Sequence, residues 1–129
     1  MRAVGVTEFG GPEALHVVDV PDESLGEGQV RLRVSAATVN PTDTYARNGT
    51  YAQRDQVKQF PYVPGMDVAG VLAEIGPGVE TDLAVGEPVM GIVVPTGAHG
   101  GYRRTSCCRS ARWPGCRPAA ATSRRPPCR

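Results

Sequence analysis

Residues 103–129 contain no Val, Ile, Leu, Met, Phe, Tyr, Lys, Asp or Glu. Almost nothing in that segment gains by leaving water, so its alphabet excludes an independent apolar core. Residues 1–102 show the opposite absence: they hold no cysteine, and Cys107, Cys108, Cys116 and Cys128 all lie beyond Tyr102. A body free of cysteine suits a reducing, cytosolic setting. The N-terminus lacks the charged segment and apolar run of a secretory signal. No apolar stretch approaches the roughly 20 residues that a membrane helix needs. No GxGxxG fingerprint comes after a strand anywhere; Gly97 to Gly101 is glycine-rich but precedes no helix. There are no internal repeats.

Charge divides at the same place. Eight of the 14 Lys and Arg residues lie in 103–129, and all 13 Asp and Glu lie before it. Six bases against 13 acids leave the body near −7, the tail carries +8, and the net of +1 averages two unlike objects.

Three readings of the tail compete. A basic nucleic-acid-binding tail has the charge but lacks Lys, Gly-rich repeats and aromatic interleaving beyond Trp113. A metal or disulfide module has four cysteines, but Cys107 and Cys108 are adjacent and no CxxC pair exists. An out-of-frame translation explains the Arg, Pro, Ala and Gly bias, because these are the residues of G/C-only codons. Cys and Trp codons begin TG, so a one-base shift turns each preceding position into Leu, Val or Met. With G/C-ending codons the stretch from Arg103 to Cys128 re-reads as ADVVLPLRAVARLPPGGGDVAAAALP, a strand, a Pro-Gly turn and an Ala-rich helix start. The frame reading accounts for more of the segment than the other two, and it makes 103–129 a disordered appendage to a folded body of 1–102.

The body reads as β structure. Val30, Leu32 and Val34 alternate with Arg31, Arg33 and Ser35, giving one buried and one wet face over Gln29 to Ser35. Arg2 to Phe9, Leu15 to Val20, Asp67 to Ile75 and Val89 to Val94 are further strands, and Gly10-Gly11-Pro12, Pro64-Gly65 and Gly76-Pro77-Gly78 are turns. One short helix is predicted over Thr42 to Arg47, with Pro41 at its entry and Gly49 past its end. Many short strands punctuated by Gly and Pro point to a small barrel or sandwich.

Four segments in this order, MRAVGVTEFGGPEALHVVDVP, VRLRVSAATVNPTDTYARNGTY, FPYVPGMDVAGVLAEIGPGV and VGEPVMG, resemble the medium-chain dehydrogenase/reductase superfamily. They are most similar to its zinc-independent quinone oxidoreductase branch, the zeta-crystallin-like enzymes. The re-read tail resembles the next stretch of that family, a strand ending in LP, a loop and an Ala-rich run ending in LP. The resemblance implies a GroES-like, partly open β-barrel, here incomplete, as a truncated N-terminal catalytic domain over 1–102. It implies a Rossmann domain after it that binds NADPH, and hydride transfer to a quinone or an activated alkene or carbonyl. Intact relatives are expected to be homo-oligomeric, cytoplasmic enzymes without membrane or nucleic-acid partners. The competing reading is a non-enzymatic small barrel, or a basic-tailed nucleic-acid or protein interaction module.

Zinc-dependent relatives place a Cys at the end of the strand before the short helix, and a His-Glu pair after the Pro-Gly turn. Asn40 and Met66-Asp67 stand there in this chain, and Asn and Met are poor zinc ligands. No metal ligands are assigned. Reduction of a good hydride acceptor survives loss of the Lewis acid better than alcohol oxidation does. Asn40, with donor and acceptor, is a candidate for both substrate and cofactor, or a turn residue before Pro41. Pro41 and Thr42 share the cofactor candidacy, Thr42 alternatively being a helix cap. Tyr45 and Tyr51 are substrate-pocket candidates with phenol donors, or packing residues. Asp43 either charges the helix N-terminus or holds Asn40. Arg47 is read as a solvated helix end before a phosphate contact, Asp67 as the holder of the Pro64-Gly65 turn, and His16 and His99 as non-catalytic. No residue is assigned as catalytic.

Overall fold

The computed structural model describes residues 1–52, 60–93, 100–109 and 117–118. Strand β1 (Arg2–Gly5) pairs antiparallel with β2 (His16–Asp19), and a 3-10 turn at Pro12–Ala14 lies between them. The second sheet holds β3 (Gln29–Ala37), β4 (Asp67–Ile75), β5 (Pro88–Ile92), β6 (Thr105–Arg109) and β7 (Arg117–Pro118), in the order β6-β3-β4-β5-β7. Every pairing in it is antiparallel. The helix α1 (Pro41–Arg47) leads away from the end of β3. Among the described residues the fold is mainly β with one α-helix, and the two sheets do not close into a barrel.

The alternation read from β3 is realised. Val30 and Leu32 point into a core with Val68, Leu72, Val89 and Val93, while Arg33 faces out. A second cluster under the β1–β2 ribbon joins Ala3, Val18, Val20 and Val63. Each such side chain contributes about 1.5–3 kcal/mol by leaving water, so these few aliphatics carry much of the fold's stability.

Strand ends differ from the sequence expectations where a turn intervenes. β1 stops at Gly5, and Val6 bridges to Tyr62 in a separate loop contact. β3 extends to Ala37, beyond the predicted Ser35, because its last residues pair with Val68 and Ala69 of β4. β5 ends at Ile92, and position 94 of the predicted strand lies outside the described residues.

The larger difference comes after Tyr102. Residues 105–109 form β6 and cover the edge of β3 from Gln29 to Arg33. The expectation of a wholly disordered appendage is therefore corrected for this stretch. Main-chain ladders need no particular side chain, and the inward positions carry small residues, Ser106 and Cys108, both buried. Cys108 joins the main core.

Candidate functional site

The site grows from the junction of β3, α1 and β4. Thr38 N–H donates to the Asp67 carbonyl at 3.1 Å, so the end of one strand lies beside the start of the other. Asn40 is the extended N-cap of α1, and Pro41 fills the first helical position, where a missing N–H costs nothing. Asp43 returns its carboxylate to the Asn40 backbone N–H at 2.7 Å, a capping box. The cap is Asn40; Thr42 sits one position inside the helix and does not play the capping role considered for it.

The Asn40 amide is oriented by its neighbours. Its Nδ2 donates to Asp67 Oδ2 at 2.6 Å and to Thr38 Oγ1 at 2.9 Å. Thr38 Oγ1 in turn donates to Asp67 Oδ2 at 3.2 Å. An ionised carboxylate only accepts, so Asp67 fixes which end of the amide faces it. With both N–H groups engaged, Asn40 can offer a ligand only an acceptor. The sequence alone allows it a donor as well.

Asp43 is 4% exposed and holds three elements together. Besides the Asn40 N–H, it accepts from the Gly65 N–H at 3.1 Å and from the Tyr102 hydroxyl at 3.1 Å. The Pro64-Gly65 turn is therefore held by Asp43, and Asp67, expected in that role, holds Asn40 and Thr38 instead. Gly65 has φ +104°, and a Cβ there would meet the Tyr102 ring at 2.6 Å, so this turn needs glycine for both conformation and space. Burial, then the Asp43 charge and the bond to it, push the Tyr102 phenol above its ordinary range. Thr38 and Tyr102 were not among the sequence candidates; nothing in their local spacing distinguishes them from other strand and loop residues.

Tyr45 lies four residues after Pro41, on the same side of α1. Its ring meets Tyr51 edge-on, centroids 5.3 Å apart. Tyr45 remains 43% exposed, and Val39, just before the cap, is 76% exposed. Pro41, Tyr45 and, through the ring contact, Tyr51 therefore lie along one open side of the helix, with Asn40 at its entry. Arg47 is half-buried, not a fully solvated end: its Nε donates to the Gly10 carbonyl at 3.2 Å, while Gly10 N–H donates to the Arg47 carbonyl at 3.3 Å. His16 Nδ1 lies 2.8 Å from the Ala14 carbonyl in an exposed turn. His99 lies outside the described residues.

Among the described residues no three His, Cys, Asp or Glu side chains gather as a metal site. The α1 N-terminus is not built as a pyrophosphate cradle. α1 has Pro at its first position, and its N-cap N–H is already bonded to an acidic side chain in the first turn. That end repels a pyrophosphate instead of cradling it. Among the same residues, no helix is long and apolar enough to cross a membrane.

Residues 26–123 match the alcohol dehydrogenase GroES-like domain family. The chain belongs to that family. The match includes the Asn40–Asp43–Asp67 junction and continues past the change in composition at Tyr102. The N-terminal part is similar to the quinone oxidoreductase of Lama guanicoe, 46% identical over 81 residues, covering 59% of this chain and 22% of the relative. A 2-haloacrylate reductase of Burkholderia sp. is 44% identical over 99 residues, covering 77% of this chain and 29% of that protein. In three dimensions the chain is similar to a mycobacterial protein solved with NADPH, with a TM-score of 0.76 and 31% identity, covering 95% of this chain and 34% of the other. The chain thus spans about a fifth of the length of the Lama guanicoe enzyme.

Proposed function

We propose that this domain is the substrate-facing wall of an NADPH-dependent, zinc-independent reductase of quinones or activated alkenes and carbonyls. The observation that carries the reading is the 2.6 Å bond between Asn40 and Asp67. By the family resemblance, Asn40 stands where zinc relatives place a Cys and Asp67 where they place the Glu of a His-Glu pair, and here an amide and a carboxylate satisfy each other. With its two N–H groups engaged, Asn40 presents its carbonyl oxygen to a donor on the ligand, such as a carboxamide or a hydroxyl. Tyr45 and Tyr51 supply phenol groups along the same open side, where a reduced oxygen would need a proton donor. Pro41 and Thr42 shape the helix entry beneath the ligand. Without a Lewis acid, the favoured acceptors are those already prone to take hydride, and alcohol oxidation is disfavoured.

The 129-residue chain by itself is expected to turn over negligibly, because the described residues offer no helix N-terminus that would cradle a pyrophosphate, and hydride transfer needs its donor within about 3–3.5 Å. Purified chain should oxidise NADPH no faster than buffer in the presence of simple quinones. Turnover above background would overturn that statement.

The change at Tyr102 is proposed to be a shift of reading frame. Two buried groups support it. Arg103 is packed at 6% exposure, and Ser106 at 1% lies in a strand on the core face. The shifted reading places Ala and Val at these positions. Sequencing the coding DNA decides the matter: a shifted frame should give a strand near VVLP within ten codons and stay open beyond the position of Arg129. A shifted frame that closes at once would end the proposal. The nucleic-acid alternative loses ground at Arg103, whose guanidinium is committed to Glu23 at 2.8 Å.

A further inference from the structure

A cleft lies away from the Asn40 junction, between the outer face of the β1–β2 ribbon and the far half of β3. It arises because β6 pairs with β3 only as far as Arg33. The Arg104 carbonyl still accepts from the Val34 N–H at 2.8 Å, and before it residues 101–103 turn aside to β1, where Val4 N–H bonds to the Tyr102 carbonyl and Ala3 bridges to Arg103. The resulting cleft has a volume of about 560 Å3, within the usual range for a small-ligand site. Its walls are aliphatic: Val4 and Val17 face each other across the ribbon at 41% and 54% exposure, and Val34 lines the opposite side.

Its charge is of one sign. Arg2, Arg103 and Arg104 line the cleft, and among the described residues no Asp or Glu does. Arg2 and Arg104 are exposed. Glu23 pairs with Arg103 at 2.8 Å, and Asp19 stands opposite Arg2 in the ribbon register without lining the cleft. Arg103 carries a further feature: its Nη1 is buried and has no acceptor among the described residues. An N–H left dry and unbonded is costly, and a ligand oxygen is one way to satisfy it.

We propose that this cleft binds an amphipathic carboxylate, an aliphatic chain of medium length lying along Val4, Val17 and Val34 with its head group at Arg2 and Arg104. The aliphatic walls take the chain by removing it from water. The two exposed guanidiniums suit a carboxylate, whose oxygens accept paired N–H bonds. This assignment is independent of the reductase reading, since none of Asn40, Tyr45 and Tyr51 lines the cleft.

The test is an amide-resolved NMR titration of the full 129-residue chain with octanoate, octan-1-ol and sulfate in parallel. Octanoate should shift the amides of Val4, Val17 and Val34–Ala37 saturably, and added salt should weaken it. Octan-1-ol and sulfate should each bind at least tenfold more weakly. Arg2→Ala with Arg104→Ala should weaken octanoate about tenfold or more while leaving the spectrum dispersed. Equal binding of octan-1-ol would reduce the cleft to an apolar crevice and overturn the proposal. Shifts confined to other residues, undiminished binding by the double variant, or a spectrum without folded dispersion would overturn it equally.

Discussion

The Asp43 carboxylate ties the helix entry, the Pro64-Gly65 turn and Tyr102 together, and its removal should be felt at all three. In Asp43→Asn the Oδ1 oxygen can still accept from the Gly65 N–H, but the new NH2 group faces the Asn40 N–H that Oδ2 had accepted at 2.7 Å. Two donors then meet in a buried place. The lost charge-assisted bond and the unsatisfied N–H together amount to about 2–3 kcal/mol. Tyr102→Phe removes one hydroxyl that bonds to Asp43 Oδ2 and to the Thr38 carbonyl, each at 3.1 Å, and should cost about 1–2 kcal/mol. Because the two groups touch, the double variant should cost less than the sum, with a coupling of about 1 kcal/mol. Urea unfolding of the four proteins, monitored by circular dichroism, gives the cycle. Against a typical stability of about 5–15 kcal/mol for a small domain, these shifts are large. A coupling below about 0.3 kcal/mol, or an Asp43→Asn midpoint equal to the parent's, would refute the view that this carboxylate joins the three elements.

The same phenol gives a pH signature. Its folded pKa is raised by burial and by Asp43, so its contribution is complete below the unfolded value near 10 and is lost as pH rises through the folded value. The stability gap between parent and Tyr102→Phe should therefore shrink on going from about pH 9 to pH 11; a gap that widens would contradict the sign. Gly65→Ala should destabilise by about 2 kcal/mol or more, from left-handed φ and collision with the Tyr102 ring, and the thermal midpoint should fall accordingly; an unchanged midpoint would show that the turn can relax. Replacing Arg103 by Met together with Ser106→Val should stabilise by about 1–2 kcal/mol, since a buried charge with an orphaned Nη1 gives way to apolar packing. A loss of more than 1 kcal/mol in urea unfolding would show that the Arg103–Glu23 pair is an integral part of the domain.

Local pattern was enough for the strands that carry the core and for the helix. β3 was legible because Val30 and Leu32 alternate with charged residues, and α1 because Pro41 and Gly49 punctuate it; both signals act within a few residues. β4 was legible end to end, from Asp67 to Ile75, as an apolar run closed by a Gly-Pro-Gly turn. The motif pair around Asn40 and Asp67 was legible as a family likeness. Its internal wiring was not, because Asn40 and Asp67 are 27 residues apart and meet only when β3 and β4 pair. The tertiary fold likewise gave Asp43 the turn expected of Asp67, and drew Arg47 onto Gly10. It also decided the fate of residues 105–109. Their side chains advertise no strand, yet the β3 edge offers N–H and C=O groups that any backbone can satisfy, and the two small inward residues let the ladder form there. Side-chain pattern determines which residues must leave water; which backbone pairs with which edge, and which carboxylate reaches which N–H, is fixed only when distant segments are packed together.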